Sequence, residues 1–152
     1  MSKPSQPTKK KAMSARRQAR AAAVQALYQW ELKQHTVDDV YAHCTEHYSE
    51  ARWDRDYFKV LLYNTIEQLS ILDDIMKPVL DRDIQSLTPV ELAVLRVAVY
   101  ELKFRVDVPG PVVINEALEL AKSFGTEEGY RYINGVLDNL LAELRPTPAG
   151  KR

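Results

Sequence analysis

The chain has a single cysteine, Cys44, so no disulfide can form within it, and a reducing compartment is the natural expectation. Its five glycines fall into neither a GxGxxG nor a P-loop spacing, which removes two common phosphate-cradling signatures. No apolar run approaches the roughly 20 residues needed to cross a bilayer, and no apolar stretch follows the basic N-terminus to make a signal peptide. A cytoplasmic protein without a membrane partner is expected. No serine or cysteine occupies a recognisable nucleophile elbow. Metal ligands are equally sparse. His43 and His47 lie one helical turn apart, but Cys44 points about 100° away from His43, and no second pair follows at zinc spacing. A solvated histidine face with a core cysteine is the simpler reading; no catalytic residue, cofactor or metal is expected.

Acidic residues are also absent from the first thirty positions. That stretch holds seven cations: Lys3, Lys9, Lys10, Lys11, Arg16, Arg17 and Arg20. The rest of the chain carries 14 cations against all 21 acids, so a formal net charge of zero conceals a basic arm on an acidic body. Such an asymmetry suits a polyanion met locally.

What is present is helical. A length of 152 residues fits one domain, large enough to bury roughly 70% of its unfolded-chain surface. Residues 1–13, MSKPSQPTKKKAM, offer little to bury and read as a flexible arm; 147–152 read as a flexible tail. Between them, 14–146 form one helical domain. Ser14 is a candidate N-cap for a helix running to about Lys33, and Thr36 for a second with Val37, Val40, Tyr41 and Cys44 on one face. Phe58, Leu61, Leu62, Thr65, Ile66, Leu69 and Leu72 step by three and four as one helix that Pro78 ends or kinks. A short amphipathic stretch follows in VLDRDIQSL. TPVE at 88–91 is a capping box, and LAVLRVAVYEL behind it is apolar nearly all round, so that helix should be central. Pro111 opens another helix that Gly125 closes, and Thr126 caps the last, which Pro146 closes. The fold class is all-α, a compact bundle of six or seven helices.

Arg16, Arg17 and Arg20 project into the same sector as Ala23, Val24 and Leu27, the core stripe of their own helix. Because unpaired buried charge is costly, residues 16–20 are expected to overhang the bundle and meet an anion; a merely solubilising arm is the blander reading. Tyr28 lies in line with Arg17, and Tyr130, Arg131 and Tyr132 alternate cation with aromatic near the start of the last helix. Aromatics with arginines suit unstacked single-stranded RNA better than a duplex. For Tyr132 the competing reading is a core residue. Arg96, five residues from both Glu91 and Glu101, is either a structural ion pair or a guanidinium held for a phosphate or base. Glu116 and Glu119 read as a solvent face.

The stretches ARRQARAAAVQALYQWEL, ELAVLRVAVYEL, VVINEALELAKSFG and YRYINGVLDNL resemble the NusB family of bacterial transcription antitermination factors, over most of residues 15–146. The resemblance implies a non-enzymatic, all-helical protein that pairs with NusE, a ribosomal small-subunit protein. Together the two would bind boxA RNA of ribosomal RNA leaders within the RNA polymerase antitermination complex. By position it implies an RNA surface of Arg16, Arg17, Arg20, Tyr28, Glu91, Arg96, Glu128, Arg131 and Tyr132, with the N-terminal ends of the first and last helices close enough to share one strand. The chain departs from the family pattern at Gln18, at Glu128, at Arg131–Tyr132, and at Val79, where an aromatic can occur. Two other readings come from different classes. One is the helical accessory domain of a ribosomal RNA methyltransferase, against which the end of the chain at Arg152, without a cofactor-binding domain, is expected to count. The other is a purely protein-binding helical module.

Overall fold

The computed structural model describes residues 9–33, 35–47 and 53–146. Among these residues there are seven α-helices and no strand: α1 (Lys9–Lys33), α2 (Val37–His47), α3 (Arg55–Glu67), α4 (Leu69–Met76), α5 (Pro89–Phe104), α6 (Gly110–Phe124) and α7 (Glu127–Leu144). A 3-10 turn, Ile84–Ser86, sits between α4 and α5. Residues 1–8 of the expected arm and the tail at 147–152 lie outside the described residues.

The helix ends follow local chemistry. Thr88 accepts from the Glu91 amide while the Glu91 carboxylate accepts from the Thr88 amide, which completes the capping box of α5. The Thr126 hydroxyl caps α7 through the Gly129 amide, and Thr36 caps α2 through the Asp39 amide. Two boundaries differ from the sequence reading. Helix α1 begins at Lys9 rather than Ser14, because KKKAM contains good helix formers and no breaker, so Ser14 lies inside the helix. The long periodic stretch divides at Gln68 into α3 and α4, yet Gln68 N–H donates to Asn64 and Leu72 N–H to Gln68. The ladder crosses the bend, which is why the periodicity reads straight through it.

Helix α5 is the axis of the bundle. Every residue from Leu92 to Leu102 is buried, and α1, α3, α4, α6 and α7 all pack on it. The side-chain pairs give the directions. Arg20 meets Glu101 while Glu31 meets Arg96, so α1 runs antiparallel to α5. Gly129 lies against Glu91, and Arg145 donates to the carbonyls of Glu101, Leu102, Arg105 and Val108, so α7 runs parallel to α5. Arg145 thereby gathers the carbonyls at and just beyond the C-terminal end of α5, adding to the backbone bonds that Glu101 and Arg105 already accept. Gly110 admits the close approach of α6 to α7, since a Cβ there would stand 2.5 Å from Leu141.

Candidate nucleic-acid interface

The arginines of α1 do not overhang the bundle. Arg20 is only 4% exposed, and its guanidinium donates to both oxygens of Glu101 at 2.9 Å, with Glu101 itself 1% exposed. The Tyr57 hydroxyl donates to the same carboxylate at 2.5 Å. Unpaired charge would indeed be expelled; paired charge is not, and this is the correction to the expectation. Burial opposes the charge on Arg20, but the bonds and charge of Glu101 prevail and raise its pKa. Burial raises the Tyr57 hydroxyl strongly, reinforced by Glu101.

Arg16 and Arg17 remain near the surface, and both have carboxylate neighbours. Arg17 donates to Glu116 through Nε at 2.9 Å and Nη2 at 3.2 Å, while its side chain stays 53% exposed. Glu116 is therefore buried, not part of a solvent face; its position on α6 turns inward because Arg17 neutralises it. Glu119 is exposed and pairs with Lys122. The Arg16 guanidinium lies 4.2 Å from the centroid of the Tyr57 ring and 3.8 Å from Asp54. Arg105 stands 5.0 Å from the same ring and is paired bidentately with Asp107. This end of the molecule thus presents arginines around one tyrosine, each matched to a carboxylate.

The hydrogen bond from Arg105 lowers the Asp107 carboxyl from 3.8 to about 2. A depressed acid contributes stability that is present above pH 4 and lost as pH falls through 2, and the exposure of this pair keeps the effect small. Asp107→Asn should therefore lower the thermal midpoint slightly at pH 6 and not at pH 2. An equal loss at both values would show that packing, not the ion pair, is responsible.

The remaining expected residues gather towards the other end of α5. Arg96 is buried against Asp73, donating to both its oxygens at 3.0 and 2.8 Å, with Glu31 at 3.4 Å. It forms the structural ion pair, with Asp73 and Glu31 as partners in place of Glu91 and Glu101. It still lines an open groove of about 590 Å³ with Lys77, Gln85 and Pro89. Glu91 is committed to the capping box, and Gly129 lets α7 approach it. Glu128 is exposed at the start of α7, and Arg131 is exposed with Glu127 3.1 Å away. Tyr28 is 37% exposed. Tyr132 is half-buried. Burial raises its hydroxyl pKa, with Asp81 adding to the shift, although no hydrogen bond of good geometry reaches the buried oxygen. Its ring is covered by Arg82, whose guanidinium lies 3.9 Å from the centroid. Sequence reasoning passed over Arg82, since an arginine between two aspartates in a loop has no periodicity to mark it.

The N-terminal turns of α1 and α7 lie at opposite ends of α5. Ten residues separate Glu101, beside Arg20, from Glu91, beside Gly129, which is about 15 Å along the axis. One strand meeting both ends would have to run lengthwise along the bundle. Among the described residues no three His, Cys, Asp or Glu side chains converge as metal ligands, and no helix is long and apolar enough to cross a membrane.

A seven-helix bundle of this kind has counterparts among known proteins. Residues 17–142 match the NusB family model. The chain belongs to the NusB family. A transcription antitermination protein NusB from Idiomarina loihiensis is 49% identical over 134 residues, 88% of this chain and 96% of its own. The structure of NusB from T. maritima aligns with a TM-score of 0.74 at 31% identity, covering 84% of this chain and 90% of that one. A structure of antitermination factors NusB and NusE in complex with dsRNA aligns at 0.77 and 26% identity, over 86% and 98%. NusB-family membership makes this chain a non-enzymatic factor.

Proposed function

We propose that this protein is an RNA-binding transcription antitermination factor that, with NusE, binds boxA-type single-stranded RNA and helps RNA polymerase read through terminators. The observation that carries RNA and NusE as partners is the solved complex of NusB and NusE with dsRNA, whose NusB-like fold this chain shares over 86% of its length; the single-stranded form of the RNA rests on the side chains. The two cation–aromatic ends support it, because exposed guanidinium groups beside tyrosines suit phosphates and unstacked bases. Within the expected RNA surface the roles divide. Arg16, Arg17, Tyr28, Glu128 and Arg131 are the members proposed to meet RNA, and Tyr132, half-buried beneath Arg82, is proposed to act through the group above it. Arg20, Arg96 and Glu91 act by holding the helices that carry the others. Filter binding of boxA and scrambled RNA, with and without NusE, tests the reading. It predicts preference for boxA and tighter binding with NusE; equal, weak binding to both RNAs would overturn it.

Glu116 acts as a built-in competitor in this scheme, since it occupies Arg17 edges that a phosphate would use. Glu116→Gln removes one negative charge beside the site. It should raise RNA affinity several-fold at low salt and steepen the slope of log K against log salt by about 0.7, one phosphate's worth for a single strand. A slope identical to that of the unmodified protein would place Arg17 outside the interface.

A further inference from the structure

Arg82 stands on Tyr132 with its guanidinium carbon 3.9 Å from the ring centroid, close to van der Waals contact. The tyrosine is half-buried on α7, so it is a fixed base for the group above it, whereas the Arg82 side chain is 45% exposed. A guanidinium has two faces. The Tyr132 ring lies beneath the group, and nearly half of the Arg82 side chain remains open to solvent. Its nearest carboxylate, Asp81, makes one long contact to Nε at 3.4 Å, far from the bidentate grip that holds Arg20, Arg96 and Arg105. The neighbouring Asp83 is directed elsewhere, capping the 3-10 turn through the Gln85 amide. Arg82 is thus a planar, weakly hydrated cation, pre-stacked on an aromatic and not neutralised by a close pair.

We propose that the outer face of the Arg82 guanidinium is a stacking platform for one nucleobase of the bound RNA, giving a base–guanidinium–tyrosine sandwich. The proposal rests on the RNA-binding reading above and refines it: the ring of Tyr132 does not receive the base directly but supports the group that does. Bases stack on guanidinium planes as they do on aromatic rings, and the stack holds largely regardless of base identity because every base has a π-face. Ile84 and Gln85, two and three residues on in the chain, line the open groove that also holds Lys77 and Arg96.

The test separates stacking from simple charge. Affinity for a boxA-type RNA is measured across salt concentrations for the unmodified protein, Arg82→Ala and Arg82→Lys, with the thermal midpoint of each. Lysine keeps the charge and loses the plane. Stacking predicts that both variants lose about five-fold or more in affinity, that Arg82→Lys keeps the salt slope, and that the midpoints change little at this exposed position. Full affinity in Arg82→Lys, with a slope shallower by about 0.7 in Arg82→Ala, would make Arg82 a phosphate contact and overturn the platform. Unchanged affinity in both variants would overturn it as well while leaving the RNA-binding reading intact. Failure of the unmodified protein to bind RNA would overturn both.

Discussion

Glu101→Ala is expected to destabilise the protein by about 3–5 kcal/mol, the cost of stripping one partner from a buried ion pair. The substitution leaves the Arg20 guanidinium, 4% exposed, without its two acceptors, and the Tyr57 hydroxyl without its one. For a chain of this size each kcal/mol lowers the thermal midpoint by about 2–4 °C, so a fall on the order of 10 °C should be seen by circular dichroism. Two further variants assign the cause. Arg20→Met combined with Glu101→Leu removes both charges and should recover much of the loss, because apolar groups of similar volume avoid the desolvation penalty. Tyr57→Phe should cost much less than Glu101→Ala, since the Arg20–Glu101 pair survives it. A midpoint within 2 °C of the unmodified protein for Glu101→Ala would mean that the pair is not shielded from water. In the proposed RNA surface, Arg20 has a role that needs no contact with RNA. Arg20 ties α1 to α5, and Arg16 and Arg17 leave α1 one turn earlier; loosening Arg20 loosens the helix that presents them.

The second large effect concerns the lysines ahead of those arginines. Arg16, Arg17, Arg20 and Arg105 each have a carboxylate partner, so the arginine cluster contributes little uncompensated charge of its own. The other cations of the first thirty residues are Lys3, Lys9, Lys10 and Lys11, whose side chains lie outside the described residues. Deleting residues 1–13 should weaken RNA binding on the order of 100-fold at 0.1 M salt, if about three of those lysines meet phosphates. The slope of log K against log salt should become shallower by about 2. The thermal midpoint should hardly move. Deleting residues 1–20 is a different experiment: it removes buried Ala19 and Arg20 and should lower stability as well as affinity. A truncation at residue 13 that leaves both slope and affinity unchanged would show that the lysines stay in solvent, and the basic arm would be merely solubilising.

The parts of the molecule legible in the sequence are those decided by neighbours in the chain. Thr88 with Glu91, Thr36 with Asp39, Thr126 with Gly129, and Gly125 with Ala121 are contacts across three or four residues, and each marks a helix end where the sequence places it. The burial of α5 follows from a helix with no polar face to leave outside. The family, too, is legible, because its motifs are runs of consecutive residues. The partners of the charged groups are not. Arg20 and Glu101 are 81 positions apart, Arg17 and Glu116 are 99 apart, and Arg96 reaches Asp73 and Glu31 in two other helices. Nothing in the spacing of α1 distinguishes an arginine that overhangs from one that is buried against an unseen carboxylate.

The sequence by itself determined an all-helical chain with a central apolar helix, a basic N-terminal arm and the stretches that mark the NusB family. Tertiary structure decided which arginines are free to meet a ligand. It buried Arg20 on Glu101, locked Arg96 on Asp73, left half of Arg17 exposed on a buried Glu116 and laid Arg82 over Tyr132. The physical reason is the range of the interactions. Helix propensity and capping act over a single turn, whereas the cost of burying a charge depends on whether a counter-charge arrives from another helix.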